Sequence, residues 1–171
     1  MSPELVELSR QLANVIRLGT IVEVYPAIAR CRVRSGGLLT TLLPWISPRA
    51  GTTRDWDPPT VGEQVMLFAP SGELAAAVVL TGIYSETNAA PDISPNLYRR
   101  VFPDGAVIAY DHATHHMDIT SIATLSISAT GGITVIGNIT VQGDVIADGI
   151  SLKTHVHGGV VPGTSNTGAP A

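Results

Sequence analysis

The residue types best able to do chemistry in this 171-residue sequence are five histidines, one cysteine and a sparse set of acids. His155 and His157 stand two apart. In extended backbone such residues project to the same side, so the His-Val-His step presents both imidazoles together. That makes a half-site, because two ligands from one chain hold a transition metal weakly and zinc would want four in a tetrahedron. Three chains about a threefold axis would supply six imidazoles. An octahedral shell of that kind suits iron or nickel better than tetrahedral zinc, although ligand type alone does not fix the metal. The competing reading is a solvent-exposed pair near a chain end. His112, His115 and His116 lie in a polar stretch beside Asp111 and Asp118 and read as surface residues. Cys31, a lone thiol without a motif, reads as a small buried hydrophobe and has no intrachain disulfide partner. Neither a Gly-x-Ser-x-Gly elbow nor a His-Glu-x-x-His motif occurs, so the expectation is no catalytic residues and no enzyme.

What positions the histidine pair is the segment before it. Gly131, Gly137, Gly143 and Gly149 recur every six residues. The first three hexads place apolar residues at their third and fifth positions: Ile133 and Val135, Ile139 and Val141, Val145 and Ala147. The fourth slips by one, to Ile150 and Leu152. Upstream, Met117, Ile119, Ile122, Leu125 and Ile127 continue the alternation without glycine punctuation. Two apolar side chains per hexad cannot close a core, and four hexads are too few for a single-chain solenoid. Three chains sharing a prism-shaped core would suffice. An ordinary meander of a β sandwich remains the other reading, with the regular glycine spacing tipping the balance toward a β-helix. From residue 101 onward five aspartates face one lysine, so the segment should not adhere electrostatically to anionic lipid.

The N-terminal half has a different texture. Leu5, Leu8, Leu12, Val15 and Ile16 fall at helical spacing, with Ser2 as cap, Pro3 in the first turn and Gly19 at the end, predicting a helix over 1–18. Period-two runs at 21–24, 29–34, 38–46, 64–68 and 75–83 predict five strands, which fit a small barrel. Residues 47–62, Pro-rich and containing Trp56, read as a loop across its surface. The Asn, Ala, Pro, Ser and Asp composition of 85–95 marks a boundary, followed by a turn at 102–105 and a strand at 107–111.

Composition agrees with a β-rich chain and excludes several functions. Seventeen glycines and twelve prolines disfavour an all-helical fold. Charged residues are only 14 % and aromatics 5 %. With a net charge of −4 and no basic cluster, a nucleic-acid partner has little electrostatic footing. The longest apolar run, 74–80, is far short of a membrane-spanning helix. No signal peptide is legible at the start, which predicts synthesis and assembly in the cytoplasm.

Several of these segments together resemble the baseplate assembly protein V, or central spike, family of contractile-tailed bacteriophages and R-type tailocins. The resemblance rests on the amphipathic first helix, Val61-Gly62-Glu63-Gln64-Val65 and Pro70-Ser71-Gly72-Glu73, and Phe102-Pro103-Asp104-Gly105 followed by Tyr110-Asp111. It is completed by His155-Val156-His157-Gly158-Gly159-Val160 and the ending Gly163-Thr164-Ser165-Asn166-Thr167-Gly168-Ala169-Pro170. It implies an all-β homotrimer: helix 1–18, OB-fold barrel 19–86, linker 87–97, an intertwined triple-stranded β-helix over 98–154, and a metal-capped apex over 155–171. The apex would hold one iron ion per trimer, octahedral, on His155 and His157 of three chains, with Gly158 and Gly159 turning the tail back around the tip. The implied partners are tail hub and baseplate proteins, with the bacterial outer membrane as a mechanical target and no nucleic acid. The implied place is the tail baseplate of a virion or tailocin, assembled in the host cytoplasm and acting at the outer membrane and periplasm. A lysozyme domain, carried by some related spikes, finds no room in this length. The alternative function is a carbohydrate- or receptor-binding tail module using the barrel or the tip loop.

Overall fold

The computed structural model describes residues 2–157, 159 and 163. Ser2 begins helix α1 (Pro3–Val15), its hydroxyl accepting the Leu5 N–H at 3.3 Å, with Pro3 and Glu4 in the first turn. The helix stops at Val15, earlier than the predicted 18, because the next residues are claimed by a sheet. The Val15 carbonyl accepts the Ala69 N–H at 2.9 Å, and Ile16, Arg17 and Leu18 pair with Phe68, Leu67 and Met66. Gly19 is therefore no helix terminator; it lies inside β1 (Ile16–Tyr25). A Cβ there would stand 2.4 Å from Val33 Cγ1 and 2.9 Å from the Arg34 carbonyl oxygen, so close strand packing demands the glycine.

The expected barrel forms from β1, β2 (Arg30–Ser35), β3 (Leu38–Leu39), β4 (Gln64–Phe68) and β5 (Val78–Ile83), all antiparallel, in the order β3-β2-β1-β4-β5. The run 38–46 is not one strand as predicted. After β3 the chain leaves the ladder, with the Thr40 hydroxyl accepting the Val33 N–H at 3.0 Å in place of a carbonyl. Leu43 then exchanges two backbone hydrogen bonds with Cys31 of β2. The Pro44 carbonyl accepts the Val79 N–H at 2.9 Å, and the Ile46 N–H donates to the Val79 carbonyl at 2.8 Å. Residues 43–46 thus tie β2 to β5 and close the sheet into a barrel. β5 begins at Val78 rather than 75 because Leu74–Ala76 winds into a 3₁₀ turn.

Inward-facing residues of these strands and of the segments flanking them make the core: Ile21, Cys31, Val33, Leu43, Val65, Leu67, Ala69, Ala77 and Val79. Each Val, Leu or Ile buried this way contributes about 1.5–3 kcal/mol, and the half-buried Val24, Trp45 and Leu74 pack against this core. Cys31 is free and fully buried, as expected, and burial pushes its thiol up to about 11. Helix α1 rests on the 3₁₀ turn Pro70–Gly72, where a Cβ on Gly72 would meet the Gln11 carbonyl oxygen at 2.4 Å. Its Leu5, Leu8 and Leu12 remain exposed.

Beyond the barrel, β6 (Leu97–Val101), β7 (Val107–Asp111) and β8 (His116–Thr120) form an antiparallel meander. The predicted linker 87–97 is a series of bonded turns: Asn88 Nδ2 donates to the Gly62 carbonyl at 3.2 Å, and Asp92 caps Ile93 and Ser94 while pairing with Arg99 at 3.1 Å. Arg100 also pairs with Asp57 of the 47–62 loop. The chain accordingly divides into compact units after Thr124, later than the predicted boundary.

The second unit, from Leu125, contains the hexads. Its only ladder among the described residues is the hairpin β9 (Ile146–Ala147) and β10 (Ile150–Ser151). Asp148 and Gly149 turn it with φ of +48° and +82°, the condition of a type I′ turn. Residues 121–144, where the apolar alternation suggested strand, join no ladder among the described residues. Gly137, Gly143 and Gly149 all have positive φ, so the six-residue period marks backbone corners open to glycine. In the first hexad that role passes to Gly132.

Candidate metal half-site at the end of the glycine repeat

Hairpin β9–β10 lays the chain before it beside the chain after it, with the Leu152 N–H donating to the Val145 carbonyl at 2.8 Å. That places Asp144 against residues 151–153. Its Oδ1 accepts N–H groups from Val145 at 2.8 Å and Lys153 at 3.0 Å, and its Oδ2 accepts the Ser151 hydroxyl at 2.5 Å. The Ser151 hydroxyl, followed by the two backbone donors, holds the carboxyl below the ordinary aspartate range. The Ser151 oxygen in turn accepts the Thr154 N–H at 2.9 Å and the Thr154 hydroxyl at 2.8 Å, fixing a tight turn over 151–154.

The two histidines follow that turn, instead of lying in a strand as predicted. They are nonetheless brought together, with ring centroids 5.1 Å apart and planes at 81°. The His155 N–H donates to the Ser151 carbonyl at 3.1 Å. Its Nδ1 lies 2.9 Å from the same carbonyl oxygen and 3.2 Å from that of Leu152. A carbonyl only accepts, so these contacts are hydrogen bonds with the hydrogen on Nδ1, the tautomer that in the neutral ring leaves the lone pair on Nε2. Both rings are exposed. One chain thus presents two imidazoles and, among the described residues, no group of three or more His, Cys, Asp or Glu that could enclose a metal. The donor set fits a soft-to-borderline metal as a fraction of a shell completed by other chains. Gly159 has φ of +77°, suited to a reversal, whereas Gly158 and the expected tail over 160–171, apart from Gly163, lie outside the described residues.

The remaining histidines behave as predicted for surface residues. His112 and His115 are exposed in the β7–β8 turn, where Asp111 accepts the N–H groups of Ala113 and Thr114, and His116 is exposed at the start of β8. The rest of the second unit supplies apolar surface. Ile133, Ile139 and Leu152 are 61 %, 69 % and 67 % exposed, uncovered by the described residues of their own chain. In the barrel, Trp45 and Trp56 stand 5.7 Å apart at the rim of a recess of about 450 Å³ that also takes in Arg30, Arg49, Arg54 and Asp55.

Residues 17–84 match the family described as the Type VI secretion system/phage-baseplate injector OB domain, and residues 149–171 match the GpV Apex motif. The chain is also 47 % identical over 125 residues to the spike protein of Escherichia phage P2. The chain belongs to the contractile-tail baseplate spike family. The aligned part covers 73 % of this chain and 59 % of the P2 protein, so the chain spans less than two thirds of that relative. In this spike-family chain the injector match runs from Arg17 in β1 to Tyr84 just past β5, the limits of the closed barrel. The apex match starts at Gly149, in the turn that builds the half-site, and includes both histidines. Asp144, Ser151 and Thr154 were missed from the sequence. The Asp148-Gly149 dipeptide was the signal for the hairpin that assembles them.

Proposed function

We propose that this chain is the central spike at the tip of a contractile tail or tailocin baseplate, piercing the host outer membrane when the sheath contracts. Three copies wind their hexads together, so that the apolar rows left bare in one chain become the interior of a rod. The observation that carries this reading is the coincidence of three features in one segment: uncovered apolar alternation, glycine corners at a period of six, and the apex motif. An isolated chain would expose this surface to water at about 25 cal/mol per Å², and intertwining removes that cost.

In this account His155 and His157 of the three chains would together hold one iron ion. The metal's contribution is cross-linking: it binds the folded trimer and stabilises it where the side-chain core is thinnest. Work at the membrane is mechanical, and no residue is assigned a catalytic step. The barrel joins the rod to hub and baseplate proteins, and nucleic acid is no partner, given the absence of net positive charge. The Trp45–Trp56 recess favours a second reading, a carbohydrate-binding tail module, and saturable sugar binding by the full chain would support it. The deciding experiment is deletion of the chain from its parent particle. Contractile particles lacking the tip, with killing lost and restored by complementation, are expected. Particles that assemble and kill normally without it would refute the role.

A further inference from the structure

We propose that Asp144, acting through Ser151 and Thr154, is the positioning residue of the histidine half-site: it fixes the 151–154 turn whose carbonyls select the Nδ1–H form of His155. This inference rests on the reading of His155 and His157 as metal ligands. The linkage is continuous. Asp144 Oδ2 takes the Ser151 hydroxyl hydrogen at 2.5 Å, which aims the remaining Ser151 lone pairs at the Thr154 N–H and hydroxyl. Asp144 Oδ1 holds the next N–H, that of Lys153, at 3.0 Å. Both ends of the turn are thereby pinned, and the Ser151 and Leu152 carbonyls converge on His155 Nδ1 at 2.9 and 3.2 Å. Carbonyls so placed stabilise the tautomer with its lone pair on Nε2 and restrict ring rotation. Outer partners of ligating histidines act in this way, and their loss typically weakens metal binding about 10–100-fold. The second hexad place, where Asp144 sits, thus has a function that the repeat pattern does not require.

The test uses the full chain and Fe²⁺ as the probe, with release to a chromophoric chelator followed by absorbance. Asp144→Asn replaces the acceptor facing Ser151 by a donor, and Ser151→Ala removes the hydroxyl. Both are expected to speed iron release about 10-fold or more. Ser151→Thr, which keeps the hydroxyl and suits a strand, should release iron at the parent rate. Long-range ¹⁵N–¹H NMR of the metal-free chain at alkaline pH should show His155 as the Nδ1–H tautomer, becoming a mixture in Asp144→Asn and Ser151→Ala. An unchanged mass of the assembled species would confirm that the variants still assemble. Parent-like release and an unchanged tautomer in both variants would overturn the proposal. If the parent chain binds no iron, the metal reading fails by itself. The tautomer shift then decides the positioning role: its presence upholds the role and its absence overturns it.

Discussion

Substituting Gly19 by alanine tests the account of the barrel with a clear sign. In a strand interior, exchanging glycine for alanine ordinarily stabilises by roughly 0.5–1 kcal/mol, since alanine loses less backbone entropy. Here the new methyl would stand 2.4 Å from Val33 Cγ1 and 2.9 Å from the Arg34 carbonyl oxygen. Ordinary contact begins near 3.4 Å, so Val33 must recede by about 1 Å inside a close-packed interior where it is fully buried. Overpacking of this kind costs about 1–3 kcal/mol, and it outweighs the entropic gain. Val33→Ala alone should also destabilise, by roughly 1–3 kcal/mol for the cavity left. Combined, the two should be less harmful than their sum by about 1–2 kcal/mol, because the new methyl enters the space vacated by Cγ1. Denaturant unfolding followed by tryptophan fluorescence reads this directly, as Trp45 and Trp56 are the only tryptophans and both lie in the barrel unit. A neutral or stabilising Gly19→Ala, or strictly additive effects, would refute the packing argument.

Four further outcomes are expected. His155→Ala combined with His157→Ala should abolish metal binding while leaving the trimer assembled, checked by elemental analysis and sedimentation. A fragment starting at Tyr98 should remain trimeric by light scattering, since the surface pairs it loses, Arg100–Asp57 and Arg99–Asp92, are each worth at most about 1 kcal/mol. Gly143→Ala, at φ of +143°, should cost about 1–3 kcal/mol per chain and lower the melting temperature of the assembled rod. Cys31 should resist alkylation until the barrel unfolds. Because its folded pKa is raised, the thiol's contribution to stability should be complete below about pH 9 and be lost as pH climbs through about 11, readable in a pH series of unfolding curves.

The barrel was legible because each strand buries one face of its own chain, leaving period-two alternation at 21–24, 29–34 and 64–68. Its closure was not. Residues 43–46 pair with two different strands around Pro44, and alternation cannot distinguish one partner from two. Gly19 was misread for a related reason: a glycine after an amphipathic run suits a helix end, and only the distance to Val33 shows a strand contact. The end of the helix was set by β4, which no local signal near Val15 encodes. In the second unit the hexad period carried through to positive φ at Gly137, Gly143 and Gly149, whereas the strand character suggested for 121–144 forms no ladder among the described residues. For the half-site, His155 and His157 were evident from spacing. Asp144 was counted only as rod charge, because its role depends on a two-residue turn bringing positions 144 and 151 together.

Native mass spectrometry of the full chain tests the central claim most directly, since it reports subunit number and bound metal at once. The account predicts a species of three times the 17.8 kDa chain mass carrying one iron ion. A metal-free monomer would contradict it and leave the apolar rows of the glycine repeat without their proposed cover.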